Sequence, residues 1–197
     1  CTRSAMDGAA SGGHLAVIEW LHANRSEGCT RSAMDWTATG GHLAVVQWLH
    51  FKRSEGCTHR AMDGAARNGH LAVIDWLHSN RSEGCTSQAM DDAASGGHLA
   101  VMRWLHKNRS EGCSSHGAMD DAASGGHLAV VEWLHATYGA SYFLECIPWA
   151  MNNAARKGHL AVLEWLHANF PLNRGGNGIT HEALDYAFFL CTFVPCN

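Results

Sequence analysis

The sequence predicts an all-α solenoid of stacked antiparallel helix pairs, and three observations carry that prediction. The decapeptide Gly13-His14-Leu15-Ala16-Val17-Ile18-Glu19-Trp20-Leu21-His22 returns almost letter for letter at Gly41, Gly69, Gly97, Gly126 and Gly158. Self-similarity at a fixed period of about 20 to 50 residues marks a repeat architecture, in which each unit buries its apolar surface only against its neighbours. The decapeptide is apolar nearly all round, so a helix formed from it needs cover on several sides. Each copy follows a stretch of small residues, Ala5, Gly8, Ala9, Ala10 and Ser11 in the first, that lets a second helix approach closely, and Gly12-Gly13 breaks the chain between the two.

Successive Gly-His pairs lie 28, 28, 28, 29 and 32 residues apart. The expected units are 1–28, 29–56, 57–84, 85–112, 113–145 and 146–178, with a terminal helix over 179–197, all within one domain spanning 1–197. Ser4 or its counterpart is positioned to cap each first helix, whose Ala5, Met6, Ala9 and Ala10 form the inner face. The second helix runs from about His14 to Asn24. Trp20, Trp48, Trp76, Trp104, Trp133 and Trp165 form one ladder and Leu21, Leu49, Leu77, Leu105, Leu134 and Leu166 another, and both are expected in the core. The connectors that begin at Arg25, Arg53, Arg81 and Arg109 read Arg-Ser-Glu-Gly, and the repeated charges are placed to pair between adjacent units. After His135 an irregular link leads into the sixth unit, and Phe170 to Gly178 forms a second loop. Thr180 to Phe189 reads as a last first-helix that caps the stack. The chain opens at Cys1, already in repeat phase and without a comparable cap, as expected of a piece of a longer protein.

The segment from Ser4 to Leu15 resembles the ankyrin repeat, whose pattern runs T-P-L-H-x-A-A-x-x-G-H-L-x-V-V-x-x-L-L. Ser4 falls on the family's Thr, Ala5 on its Pro, Met6 on its Leu and Asp7 on its His, while Ala9-Ala10, Gly13-His14-Leu15, Val17-Ile18 and Leu21 match it. The resemblance covers about residues 1 to 187. It implies an ankyrin-like solenoid with short connectors in place of most of the β-hairpin fingers, because the units run shorter than the family's spacing of about 33 residues. From Ala150 to Ala183 the interval is 33, so one full-length connection is expected there.

The totals exclude several functions. A formal charge of −4 gives no basic surplus for nucleic acid, and no apolar run reaches membrane-spanning length. Of the eight cysteines, Cys1, Cys29, Cys57, Cys85 and Cys113 occupy one column. Stacked helix pairs stand about 8 to 10 Å apart and a disulfide needs Cα atoms within about 7 Å, so the ladder is expected to be reduced. This fits an intracellular, cytoplasmic chain, although the sequons at Asn24, Asn80 and Asn108 leave secretion open. Twelve of fifteen histidines fall into two ladders headed by His14 and His22. Eight residues span about 12 Å of helix, too far for two such histidines to share a metal. Five equivalent cysteines point to packing rather than to a single nucleophile. The chain is expected to be no enzyme and to hold no metal or cofactor.

Columns that vary between units carry the functional reading, since packing holds a column constant and solvent releases it. One runs Arg3, Arg31, His59, Ser87, then Ser115 or His116; the next runs Ser4, Ser32, Arg60, Gln88, Gly117. Two more run Gly8, Trp36, Gly64, Asp92, Asp121, Asn153 and Ser11, Thr39, Arg67, Ser95, Ser124, Arg156. Carried over from the resemblance, the first and last of these columns line the concave, partner-facing surface. Trp36 stands where other units have Gly, Asp or Asn, and a Trp among arginines has the composition of an interface hot spot. The candidate partner-binding residues are Arg3, Arg31, Trp36, His59, Arg60, Arg67, Gln88, Asp92, Asp121 and Arg156. The expected function is a non-catalytic scaffold for another protein. The alternative is self-association through the uncapped first unit, which would give end-to-end oligomers or filaments.

Overall fold

In the computed structural model, which describes residues 2–114 and 117–170, the regular elements among the described residues are all helical. They are α1 (Arg3–Ser11), α2 (Leu15–Asn24), α3 (Arg31–Thr39), α4 (Leu43–Lys52), α5 (Arg60–Arg67), α6 (Leu71–Asn80), α7 (Gln88–Ser95), α8 (Leu99–Asn108), α9 (Gly117–Ser124), α10 (Leu128–Tyr138), α11 (Ala140–Phe143), α12 (Ile147–Lys157) and α13 (Leu160–Asn169). Among the described residues no helix is long and apolar enough to cross a membrane. The expected capping helix from Thr180, the loop after Phe170 and Cys1 lie outside the described residues, as do Ser115 and His116.

The chain divides into two compact units, with the boundary running through the ends of α7 and α8. One unit joins Ala100–Gly112 to the chain up to Ala93, and the other joins Ala94–Leu99 to the chain from Cys113 onward. In the first, α1, α3 and α5 lie side by side as one layer, and each packs against its follower, α2, α4 or α6, in a second layer. Ala33, Met34 and Ala38 of α3 and Val45, Val46 and Leu49 of α4 are buried between the layers. In the second unit α9 lies against α12, each packs on its follower α10 or α13, and α11 rests on α10. Its core holds Met119, Ala122, Val131, Leu134, Phe143 and Met151.

The Gly-His signature has a backbone cause. Gly13 takes φ +73°, its N–H donates to the Ala10 carbonyl at 2.9 Å and that of His14 to the Ala9 carbonyl at 2.9 Å. This is the glycine-terminated helix end that satisfies the last carbonyls of α1 and turns the chain into α2. A second reason comes from the next pair: a Cβ on Gly13 would stand 2.5 Å from Nδ1 of His42, so glycine makes room for the neighbour's imidazole. In the second unit the same histidine column ties helices together, with His127 Nε2 donating to the Ser95 carbonyl and His159 Nε2 to that of Ser124, both at 3.0 Å.

Consecutive pairs are clamped by a buried aspartate and a threonine. The Thr30 N–H and hydroxyl both donate to Asp7, each at 2.8 Å. Thr58 does the same to Asp35 at 2.7 and 2.8 Å, and Thr86 to Asp63 at 2.9 Å twice. Each threonine oxygen also accepts the N–H two residues on, from Ser32, Arg60 and Gln88 respectively, at 3.2 Å. The capping residue is therefore this threonine and not the Ser4 column. A hydroxyl two positions further along the chain already lies inside the helix, where it cannot reach the free N–H groups of the first turn.

Two other expectations change. The Leu ladder is buried, but the Trp ladder is not core: Trp20 is 60% exposed, and Trp48, Trp76, Trp104, Trp133 and Trp165 are half-buried. One residue turns a helix by about 100°, so the tryptophans stand on the flank of the second layer. There four of them meet the second histidine ladder edge-on: His22–Trp48, His78–Trp104 and His135–Trp165 at 5.2 Å and His50–Trp76 at 5.1 Å. The connector charges pair within one connector instead of between units: Arg25 with Glu27 and Arg53 with Glu55 at 2.6 Å, Arg81 with Glu83, and Arg109 with Glu111. A separation of two residues in extended backbone puts both side chains on one side, so the nearest opposite charge is local.

Removing one clamp tests its weight. Asp35→Ala strands the Thr58 donors and should lower unfolding stability in urea melts by about 2 kcal/mol, whereas Arg31→Ala, which removes an exposed bond to the Glu55 carbonyl, should cost under about 1 kcal/mol. The connectors set an acid limit. Burial, the largest influence on Glu55 and Glu83, pushes their pKa up, but the arginine hydrogen bond, backbone N–H bonds and the guanidinium charge outweigh it and hold both down to about 2. A depressed carboxylate contributes stability that is present above its unfolded pKa and lost as pH falls through its folded one, here from about 4.5 to about 2. Asp63 acts oppositely, since burial raises its pKa despite the Thr86 bonds. The thermal midpoint should drop across that acid window, and drop less in Glu55→Gln/Glu83→Gln; parallel curves would refute the assignment.

Candidate partner-binding surface

The first helices of successive pairs start just after the clamped threonines, so positions 28 residues apart stand side by side on neighbouring helices. In the first unit this brings six of the ten candidate residues around one open groove of about 550 Å³: Trp36 from α3, His59, Arg60 and Arg67 from or just before α5, and Gln88 and Asp92 from α7. Gly64 sits in the middle of the column that reads Trp36, Gly64, Asp92, and its missing side chain makes room for the side chain of Thr39 on the neighbouring helix. A Cβ there would stand 2.1 Å from Oγ1 of Thr39, so even alanine would push into the wall. Trp36 is 52% exposed at this edge.

Electrostatics in the groove are organised around three carboxylates. Asp35 and Asp63 form its floor and belong to the Thr58 and Thr86 clamps. Asp92 accepts Nε and Nη2 of Arg67 on one oxygen at 3.1 and 2.8 Å, and Nε2 of Gln88 on the other at 3.0 Å. Burial raises the pKa of Asp63, with the charge of Asp92 adding and that of His59 opposing.

The remaining candidates stand elsewhere. Arg3 and Arg31 are exposed at the starts of α1 and α3, where their Nε atoms donate to the Glu27 and Glu55 carbonyls at 3.2 and 3.3 Å, and neither lines the groove. Asp121 and Arg156 are exposed residues of the second unit. Ser32, Thr39, Gly64 and Thr86 line the groove without having been singled out. Gly64 was legible, since it interrupts a varying column between two functional-looking neighbours. Thr86 carries no signal in the sequence, because its role depends on an aspartate 23 residues earlier.

The thiols face a setting hostile to nucleophilic chemistry. Among the described residues Cys29, Cys57, Cys85, Cys113 and Cys146 form no disulfide, and all are buried except the half-buried Cys85. Burial first, and the neighbouring glutamates second, push the Cys29, Cys57 and Cys85 thiols up to about 11, 12 and 11, with the nearby arginines opposing. Among the described residues no group of three or more histidine, cysteine, aspartate or glutamate side chains is arranged to hold a metal ion.

Comparison with known proteins adds the family context. A family model described as ankyrin repeats (many copies) matches residues 6–50 and 119–167. No curated protein matches the chain. Among solved structures, the crystal structure of the human ASB11 ankyrin repeat domain superposes with a TM-score of 0.65 at 19% identity, covering 92% of this chain and 90% of that one. At that identity the likeness speaks for the fold.

The thiol setting predicts slow alkylation. At neutral pH the thiolate fraction of Cys57 is below about one in a thousand, so iodoacetamide should label Cys29 and Cys57 in the folded chain far more slowly than in urea, as read by peptide mass mapping. Equal rates in both states would contradict the burial.

Proposed function

Because the chain is built of ankyrin repeats, modules that mediate protein–protein contact, we propose that it is a non-catalytic scaffold holding a partner protein against the first-helix face of its first unit. One observation carries this reading: six residues picked from variable columns line a single groove, with a half-exposed Trp at its edge. Binding energy concentrates in such aromatic and arginine residues, and truncating a hot-spot side chain costs about 2 kcal/mol or more. The buried, weakly acidic thiols are consistent with a packing role inside a reducing compartment.

A second reading rests on the first helix pair. Val17 and Trp20 are 49% and 60% exposed, while Val45 and Val73 are each 2% exposed because a preceding pair covers them. That uncovered face would stack on a further helix pair of another copy and give end-to-end assembly.

The two readings separate experimentally. Proteins captured on the immobilised chain and quantified by mass spectrometry should fall at least about tenfold on Trp36→Ala/Arg67→Ala, with the helical circular dichroism unchanged. Undiminished capture would sink the groove. Light-scattering mass that climbs with protein concentration in the presence of reductant, and stops climbing in Trp20→Glu, would favour assembly.

A further inference from the structure

The third unit breaks between its helices at Asn68-Gly69, where four other units carry Gly-Gly and the sixth carries Lys-Gly. In an Asn-Gly dipeptide the backbone nitrogen that follows the asparagine attacks the side-chain carbonyl with least hindrance, because glycine has no Cβ to obstruct the approach. Among the described residues the dipeptide occurs once, and Asn68 is exposed.

The fold ties up both reacting groups. The Gly69 N–H donates to the Ala66 carbonyl at 3.1 Å and the His70 N–H to that of Ala65 at 2.9 Å, which together close the end of α5. The side chain of Asn68 reaches across to the end of α3, where Nδ2 donates to the Thr39 carbonyl at 2.9 Å, with the Gly64 carbonyl beside it at 3.4 Å. Both neighbours only accept, so it is the amide nitrogen that faces them. In the Gly-Gly units no side chain is present to make this bridge.

We propose that Asn68 is a site of spontaneous modification by deamidation, held in check by the closed end of α5, and that the reaction turns a donor joining α3 to α5 into an acceptor that repels the same carbonyls. The Gly69 nitrogen forms a bond to Cγ of Asn68 and gives up its proton, the Cγ–Nδ2 bond breaks, and ammonia leaves. Water then opens the cyclic imide at one of its two carbonyls and leaves aspartate or isoaspartate. The attack requires Gly69 to release Ala66 and Asn68 to release Thr39, so it proceeds from a locally opened end. In either product a carboxylate takes the place of the amide, and it has no proton to offer Thr39 or Gly64. Isoaspartate also adds a methylene to the backbone just before Gly69, which turns at φ +75° and delivers the His70 ring against Gly41. Both products oppose reclosing, and the change runs one way.

The test incubates the full chain at neutral pH, folded and in urea, and maps its peptides by mass spectrometry after digestion with pepsin in acid, which stops the reaction. Asn68 should convert from amide to acid at least about tenfold more slowly in the folded chain than in urea. Asn177-Gly178, the other such dipeptide in the sequence, is read on a separate peptide. Asn68→Asp, one of the two products, should speed amide hydrogen exchange at Gly69 and His70 by at least about tenfold, and Asn68→Gly, which restores the Gly-Gly of other units, should speed it less. Absence of conversion in urea would overturn the site, and equal conversion in both states would overturn its protection by the fold. Exchange in Asn68→Asp that matches the unsubstituted chain, or that matches Asn68→Gly, would overturn the repulsion at the joint.

Discussion

The pairing of a buried aspartate with the threonine of the following helix pair is the constraint on which the first unit depends. Hydrophobic contact between alanine-rich helices is nearly featureless and would tolerate sliding by a turn. A carboxylate that must receive one backbone N–H and one hydroxyl at under 3 Å tolerates none. The clamp therefore fixes the stagger of α1, α3 and α5, and with it the rows of side chains those helices present. Its burial makes the choice strict, since an aspartate with neither partner would carry an unpaired charge out of water. The histidines over Gly13 and Gly41, His42 and His70, supply a second stop on the other end of α1 and α3.

Much of this was legible. The helix pairs follow from the repeat, the break from Gly12-Gly13, and the buried Leu column from the period. Six of ten candidate site residues meet in one groove because the argument from varying columns singles out solvent-facing positions wherever packing is uniform. What escaped depends on neighbours rather than on composition. Trp20 and Leu21 are adjacent and equally apolar, yet only one points between the layers. Thr30 and Ser32 are equally good caps, and the geometry of the chain before the helix selects the threonine.

Arg3 and Arg31 show the limit of column reasoning. Both vary and both are exposed, yet the Nε of each donates to a connector carbonyl and neither lines the groove. A varying column reports freedom from the core, and freedom from the core is shared by residues that read a partner and by residues that merely brace a loop. The connectors illustrate the same point from the other side. Arg53 and Glu55 pair locally, and Gly28 of the preceding connector leaves the room, since a Cβ there would stand 2.2 Å from the guanidinium.

The clamp also bears on how such a chain changes over generations. In each of the first four units a threonine at the start and an aspartate five residues later travel together on one 28-residue segment, so each of these units carries both halves of the same joint, one on each side. A gene that gains or loses a whole segment by misaligned recombination produces seams chemically identical to the old ones. Length is then inherited as a nearly neutral variable, while the few residues around Gly64 remain free to diverge one at a time.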